Sequence, residues 1–154
     1  MLSVVEQILK IGSERIMKII LGILVTTLAH FSFGVFSWRV AYWAGFPVEI
    51  SSSILSAPSF SFLTIGLIHK FLVISALTWA LFKVMPLLDK PRKRILFIFF
   101  LGTIFSFYFY LGAYIFWNIG FLLSISLFIL ESINWLISGF ILAQFIKPKH
   151  LGAL

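Results

Sequence analysis

Four long apolar runs, at residues 16–38, 62–85, 95–117 and 121–146, constrain this chain more than any other feature. A helix rises about 1.5 Å per residue, so each run is long enough to cross the ~30 Å hydrocarbon core of a bilayer. In hydrocarbon the backbone finds no water to bond, and a helix satisfies its own N–H and C=O groups within one segment. The sequence therefore predicts an all-α integral membrane protein, a four-helix bundle forming one domain over residues 1–154. Charged residues make up 11% of the chain, against roughly 25% in soluble domains, and hydrophobic residues 61%. An ordinary soluble domain is excluded, and the four runs leave too little chain for a second one.

Orientation follows from the basic residues, because Lys and Arg stay on the cytoplasmic side during insertion. With both termini inside, Lys10, Arg15, Lys18, Lys83, Lys90, Arg92, Lys93, Arg94, Lys147 and Lys149 all lie there, leaving Arg39 outside and Lys70 within the second run. The reverse orientation would export nearly all of the twelve. The expectation is a multi-pass protein with both termini cytoplasmic, in a membrane the sequence does not name. The basic stretch 83–94 reads as the topology signal, with an anionic-lipid contact worth about 1 kcal/mol per residue as the alternative. Nucleic acid is not an expected partner, since no basic, aromatic-interleaved aqueous surface is left to bind it.

Residues 2–15 set polar Ser3, Glu6, Gln7, Lys10, Ser13 and Glu14 against Leu2, Val5 and Leu9 near a helical period. This suggests a short interfacial helix, with a plain leader into the first span as the alternative. Thr27 and Ala29 have the spacing of a signal-peptide cleavage site. The apolar run nevertheless continues through Phe31, Phe33, Val35 and Phe36, longer than a signal core needs, so the first span is expected to be retained. In the longest connection Pro47 suits a first helical position and Pro58 a stop, predicting a second interfacial helix at 47–56. Pro86 closes the second span, and Trp117, Asn118, Ile119 and Gly120 make a tight turn between the third and fourth.

Residues 71–82 alone are too short to span, so Lys70 sits inside the bilayer. It lies nine residues beyond Ser61, and Glu131 lies eleven beyond Gly120, giving depths of about 14 and 17 Å. The two opposite charges thus share a level near the midplane, where an unpaired charge costs at least about 2.5 to 3.5 kcal/mol. Ser124, Glu131 and Ser138 recur every seven residues, with Asn134 one turn from Glu131, so the four share a face. Thr27, His30, Gly34 and Ser37 form a similar stripe on the first span, and His30 and His69 lie at matching depths of about 12 Å. His30, His69, Lys70, Glu131 and Asn134 are therefore the predicted intramembrane polar cluster. One reading is a structural ion pair that fixes helix register. Another is a proton or ion path or a polar headgroup site. A third makes His30 and His69 axial ligands of a haem. Outward snorkelling of Lys70 would dissolve the pair. No cofactor is assigned beyond the haem alternative, and no metal site is expected.

The third span crowds eleven aromatic residues, from Phe97 to Trp117, onto one helix. Gly102, Ser106, Phe109 and Ala113 trace an edge where a neighbouring helix can approach, leaving the other aromatics for lipid, a second protein or a flat ligand such as a quinone, isoprenoid or acyl chain. The chain holds no cysteine, no Gly-Lys-Ser/Thr phosphate loop, no His-Glu-x-x-His and no Gly-x-Ser-x-Gly. The only midplane acid, Glu131, is the natural partner of Lys70, so no nucleophilic triad is assigned. Sequence alone favours a non-enzymatic accessory or interaction component of a membrane complex, meeting a protein partner or a second copy through spans three and four. The alternatives are a small carrier, channel or lipophile-binding protein using Lys70 and Glu131, or a haem-binding redox protein.

Overall fold

The computed structural model describes residues 4–43, 60–117 and 120–147. It contains α1 (Val4–Trp43), α2 (Phe60–Val84), a 3-10 turn (Met85–Leu87), α3 (Pro91–Trp117) and α4 (Phe121–Phe145). Each helix carries a stretch long and apolar enough to cross a membrane: Gly12–Ser37, Leu63–Leu87, Pro91–Phe116 and Phe121–Phe145. The protein is an all-α, multi-pass four-helix bundle.

Two features of α1 and the connections differ from expectation or lie beyond view. Residues 4–15 do not form a separate element but continue into the first span as one helix of 40 residues. The physical reason is that no proline interrupts this segment, and Gly12, at the polar-to-apolar junction, costs only about 1 kcal/mol relative to alanine, too little to break a long helix. The expected helix at 47–56 lies outside the described residues, as do Asn118 and Ile119 of the tight turn.

The turn between α2 and α3 is built as the prolines demand. Pro86 sits inside the 3-10 turn, and Pro91 opens α3 at the position where a missing N–H is harmless. The Leu88 N–H closes the turn onto Met85 O at 2.9 Å. Arg94 folds back beneath it, with Nη1 donating to Leu88 O at 3.3 Å and Asp89 O at 3.4 Å. Asp89 pairs with Lys93 at 2.7 Å, and the Lys93 hydrogen bond holds the Asp89 carboxyl below its ordinary range. Lys83, Lys90, Arg92 and Lys93 are exposed, whereas Arg94 is buried, so this basic stretch is partly structural and partly free to face a surface.

α4 is the hub. It packs along α3 on one side and α1 on the other, while α2 lies against α1 and touches α3 lightly. Glycines set the approach, as expected where lipid is as apolar as leucine and packing decides association. A side chain at Gly102 of α3 would run into the Trp135 ring, and a Cβ at Gly139 of α4 would come 2.9 Å from the Ile95 carbonyl oxygen. At the α1–α4 contact, a Cβ at Gly22 would stand 2.8 Å from that of Phe145. The anticipated edge of α3 is therefore present in Gly102, Ser106 and Ala113, all buried, but Phe109 turns outward. Near the end that carries Lys83, Arg92 and Lys147, here the basic end, Ile74, Leu77, Leu81, Met85, Ile98, Leu142 and Ile146 form an apolar core. That core also contacts Trp135, which stands at mid-span beside the polar groups described next.

Candidate functional site

Three helices supply one polar cluster: His30 from α1, Lys70 from α2, and Glu131, Asn134 and Ser138 from α4. Spacings of three and four put the α4 residues on one face, and His30 bridges two turns of it. Its Nδ1 lies 2.8 Å from Ser138 Oγ and its Nε2 lies 2.9 Å from Glu131 Oε1. Lys70 Nζ donates to the same carboxylate oxygen and stands 3.2 Å from His30 Nε2. Asn134 Nδ2 donates to the His30 carbonyl at 2.8 Å, fixing α1 against α4 by a bond that does not depend on charge. Lys70 and Glu131 each lie ten residues inside their helices, about 15 Å, so the pair sits at mid-span.

Burial grades across the cluster. The side chain of His30 is 0% exposed, that of Glu131 10% and that of Lys70 23%. The imidazole is sealed, the carboxylate nearly so, and the ammonium reaches towards the bundle's side. Trp135 forms the floor: its ring centroid is 4.2 Å from that of His30, and Lys70 Nζ lies 5.7 Å from the indole. The indole N–H donates to Ser106 Oγ of α3 at 2.7 Å, which ties α3 to the site.

The contacts constrain where hydrogens can lie. Ser138 has a single hydroxyl hydrogen and two acceptors in reach, His30 Nδ1 at 2.8 Å and the Asn134 carbonyl at 2.9 Å. If the neutral ring carries its proton on Nε2, it donates to Glu131 while Ser138 donates to Nδ1, and Lys70 and Glu131 cancel. If the ring is an imidazolium, Nδ1–H donates to Ser138, whose hydrogen turns to Asn134. Both arrangements use the same heavy-atom positions, so gaining or losing a proton requires only rotation of a hydroxyl.

Of the five residues the sequence nominates, the structure brings together His30, Lys70, Glu131 and Asn134. His69 is exposed, because neighbouring positions on a helix point about 100° apart and inward placement of Lys70 swings it away. Both ring nitrogens of His30 already meet protein groups, so the two histidines do not present facing axial positions for a haem. Two members escaped sequence reasoning. Ser138 was placed on the right face without its link to His30. Trp135 was overlooked although a tryptophan at mid-span, away from the interfaces such residues favour, needs an internal partner for its N–H.

The chain matches no known protein family, curated protein or solved structure. Function must be argued from the site's own chemistry. Among the described residues no group of three or more His, Asp or Glu side chains is placed to hold a metal ion. Two shallow apolar grooves, of about 350 and 170 Å³, lie along the aromatic side of α3, around Tyr108 and Phe116 and around Tyr110 and Phe121. The cluster itself lines neither of them.

Proposed function

We propose that the protein is a small membrane carrier or channel and that the species it handles is a proton. The observation that supports this reading is the convergence of His30 Nε2 and Lys70 Nζ on one oxygen of Glu131, deep in a span. Helix register alone would be served by uncharged bonds such as that from Asn134 to the His30 carbonyl. Two opposite charges and a titratable imidazole at mid-span are a costly way to add to it. The donor set also favours a proton over a metal cation, because both groups that meet the oxygen are nitrogens, one of them an ammonium. The test is dissipation of a pH gradient in liposomes carrying the purified protein and an internal pH-sensitive dye. Wild type should speed dissipation well above empty vesicles, and Glu131→Gln should return it to that baseline while the bundle stays folded. If Glu131→Gln merely destabilises the fold and Lys70→Met rescues it, the pair is structural and the reading fails.

A second reading, an accessory component meeting a protein partner or another copy, draws on the exposed aromatic face of α3. Phe100, Phe105, Tyr108 and Phe116 are exposed, as are Leu122, Ile129 and Phe140 of α4, whereas Phe107 and Tyr114 are partly covered by Phe128 and Phe121 of α4. Lipid tails fill such a face equally well. Native mass spectrometry of protein extracted gently from its own membrane separates these cases. A second chain at fixed ratio supports the accessory reading, and a lone chain or one that retains only lipid opposes it.

A further inference from the structure

We infer that the cluster exchanges its proton with the basic end of the bundle, through Ser138 and His30 and a line of buried hydroxyls on α1 and α2. This rests on the proton reading above and adds a direction to it. The His30 ring is oriented along the bundle: Nε2 meets Glu131, and Nδ1 meets Ser138, which lies seven residues, about 10 Å, nearer the basic end of α4. On α1, Thr27 and Thr26 lie three and four residues, about 5 and 6 Å, nearer the basic end than His30. Thr26 is 0% and Thr27 3% exposed, and neither hydroxyl has a hydrogen-bond partner. Thr78 follows on α2, eight residues or about 12 Å past Lys70, also buried and unpartnered. Arg94 stands near the basic end, buried, with its Nε unpartnered.

Buried polar atoms are nearly always satisfied, so four in sequence through an otherwise apolar core call for an explanation. A file of water molecules would bond each of them. Towards the other end α4 sets buried Leu127 and Leu123 next to the cluster, with Ser124 the buried hydroxyl seven residues from Glu131. There Ser37 is the unpartnered hydroxyl, two turns from His30.

The transfer balances without redox chemistry. A proton arriving from water at the basic end is taken by Ser138 Oγ as the hydroxyl's own hydrogen passes to His30 Nδ1, and the newly bound hydrogen points to the Asn134 carbonyl. Loss of the Nε2 proton to Glu131 Oε1 then leaves a neutral ring protonated at Nδ1 and a neutral carboxyl. The ionisable groups that face the ring are Lys70 from α2 and Glu131 from α4, with Tyr110 of α3 within electrostatic range of Glu131.

Three variants in the pH-gradient assay test the direction: Ser138→Ala, Thr26→Val and Ser37→Ala. The expected result is a loss of roughly tenfold or more in proton flux for the first two and wild-type flux for the third. Flux that survives Ser138→Ala and Thr26→Val, whether or not Ser37→Ala slows it, overturns the inference while leaving the proton reading intact. If wild type itself conducts no protons, both fall together. Should Ser138→Ala lose its fold, Thr26→Val carries the test, because valine keeps the shape of threonine and removes only the hydroxyl.

Discussion

α3 and α4 are nearly alike in length, 27 and 25 residues, and in mean hydropathy, 2.0 and 1.8 over their most apolar stretches. They occupy opposite situations. α4 is the most buried helix of the four and carries Ser124, Glu131, Asn134 and Ser138 on its inner face, whereas α3 packs along α4 through small residues such as Gly102, Ser106 and Ala113 and leaves most of its aromatics exposed. Hydropathy does not separate the two. In lipid, tails solvate Phe and Leu as well as a protein interior does, and polar side chains are what must be sheltered. A polar stripe at helical spacing therefore marks the interior of a membrane bundle better than hydropathy does.

The largest effect expected from this contrast is on α4. Glu131→Leu should cost about 3 kcal/mol in detergent unfolding, the low end for a broken buried pair, because Lys70 keeps some access to the bundle's side. Next comes the seam between the two helices. Gly102→Leu must displace the Trp135 ring and should cost about 1 to 3 kcal/mol, while Gly112→Leu, on the same helix but where a Cβ meets only the Phe116 ring at 4.0 Å, should cost almost nothing. Equal effects at the two glycines would mean that α3 meets α4 along a different edge. A smaller loss, about 1 kcal/mol, is expected for Trp135→Phe, which keeps the ring but removes the bond to Ser106. At the bottom of the scale, Phe105→Leu and Phe116→Leu on the outer face of α3 should shift unfolding by less than about 0.5 kcal/mol. If either one instead dissociates a co-purifying chain, that face is an interface rather than a lipid surface.

The fold was legible because the four apolar runs obey a strong, one-dimensional rule. The end of the second span by Pro86 follows from proline's missing N–H, and the convergence of Lys70 with Glu131 from counting residues inward, whereas the start of α3 at Pro91 lies four residues before the apolar run that marks it. The α4 face was readable from its heptad spacing, and three of the four edge residues on α3 from their size. What escaped depends on rotation and on three-dimensional neighbours. Depth alone paired His69 with His30, but one residue of helical rotation separates inward from outward, and depth carries no information about that. Trp135 was hidden because an aromatic residue in an apolar run is unremarkable until a glycine is seen opposite it. The continuity of α1 escaped for a different reason: polar and apolar stretches were read as separate elements, although the helix has no internal stop.

The account turns on whether the His30, Lys70 and Glu131 cluster gains and loses a proton while the bundle stays folded. Nitrogen-15 NMR of histidine-labelled protein in bilayers answers this directly, since the chain has three histidines and His30→Asn assigns the signal of His30. The expected result is a His30 signal that moves between neutral and imidazolium forms as pH changes, with both forms altered in Ser138→Ala and Glu131→Gln. A His30 ring fixed in one tautomer and charge over the whole range in which the protein remains folded would contradict the account and leave the cluster as a structural clasp.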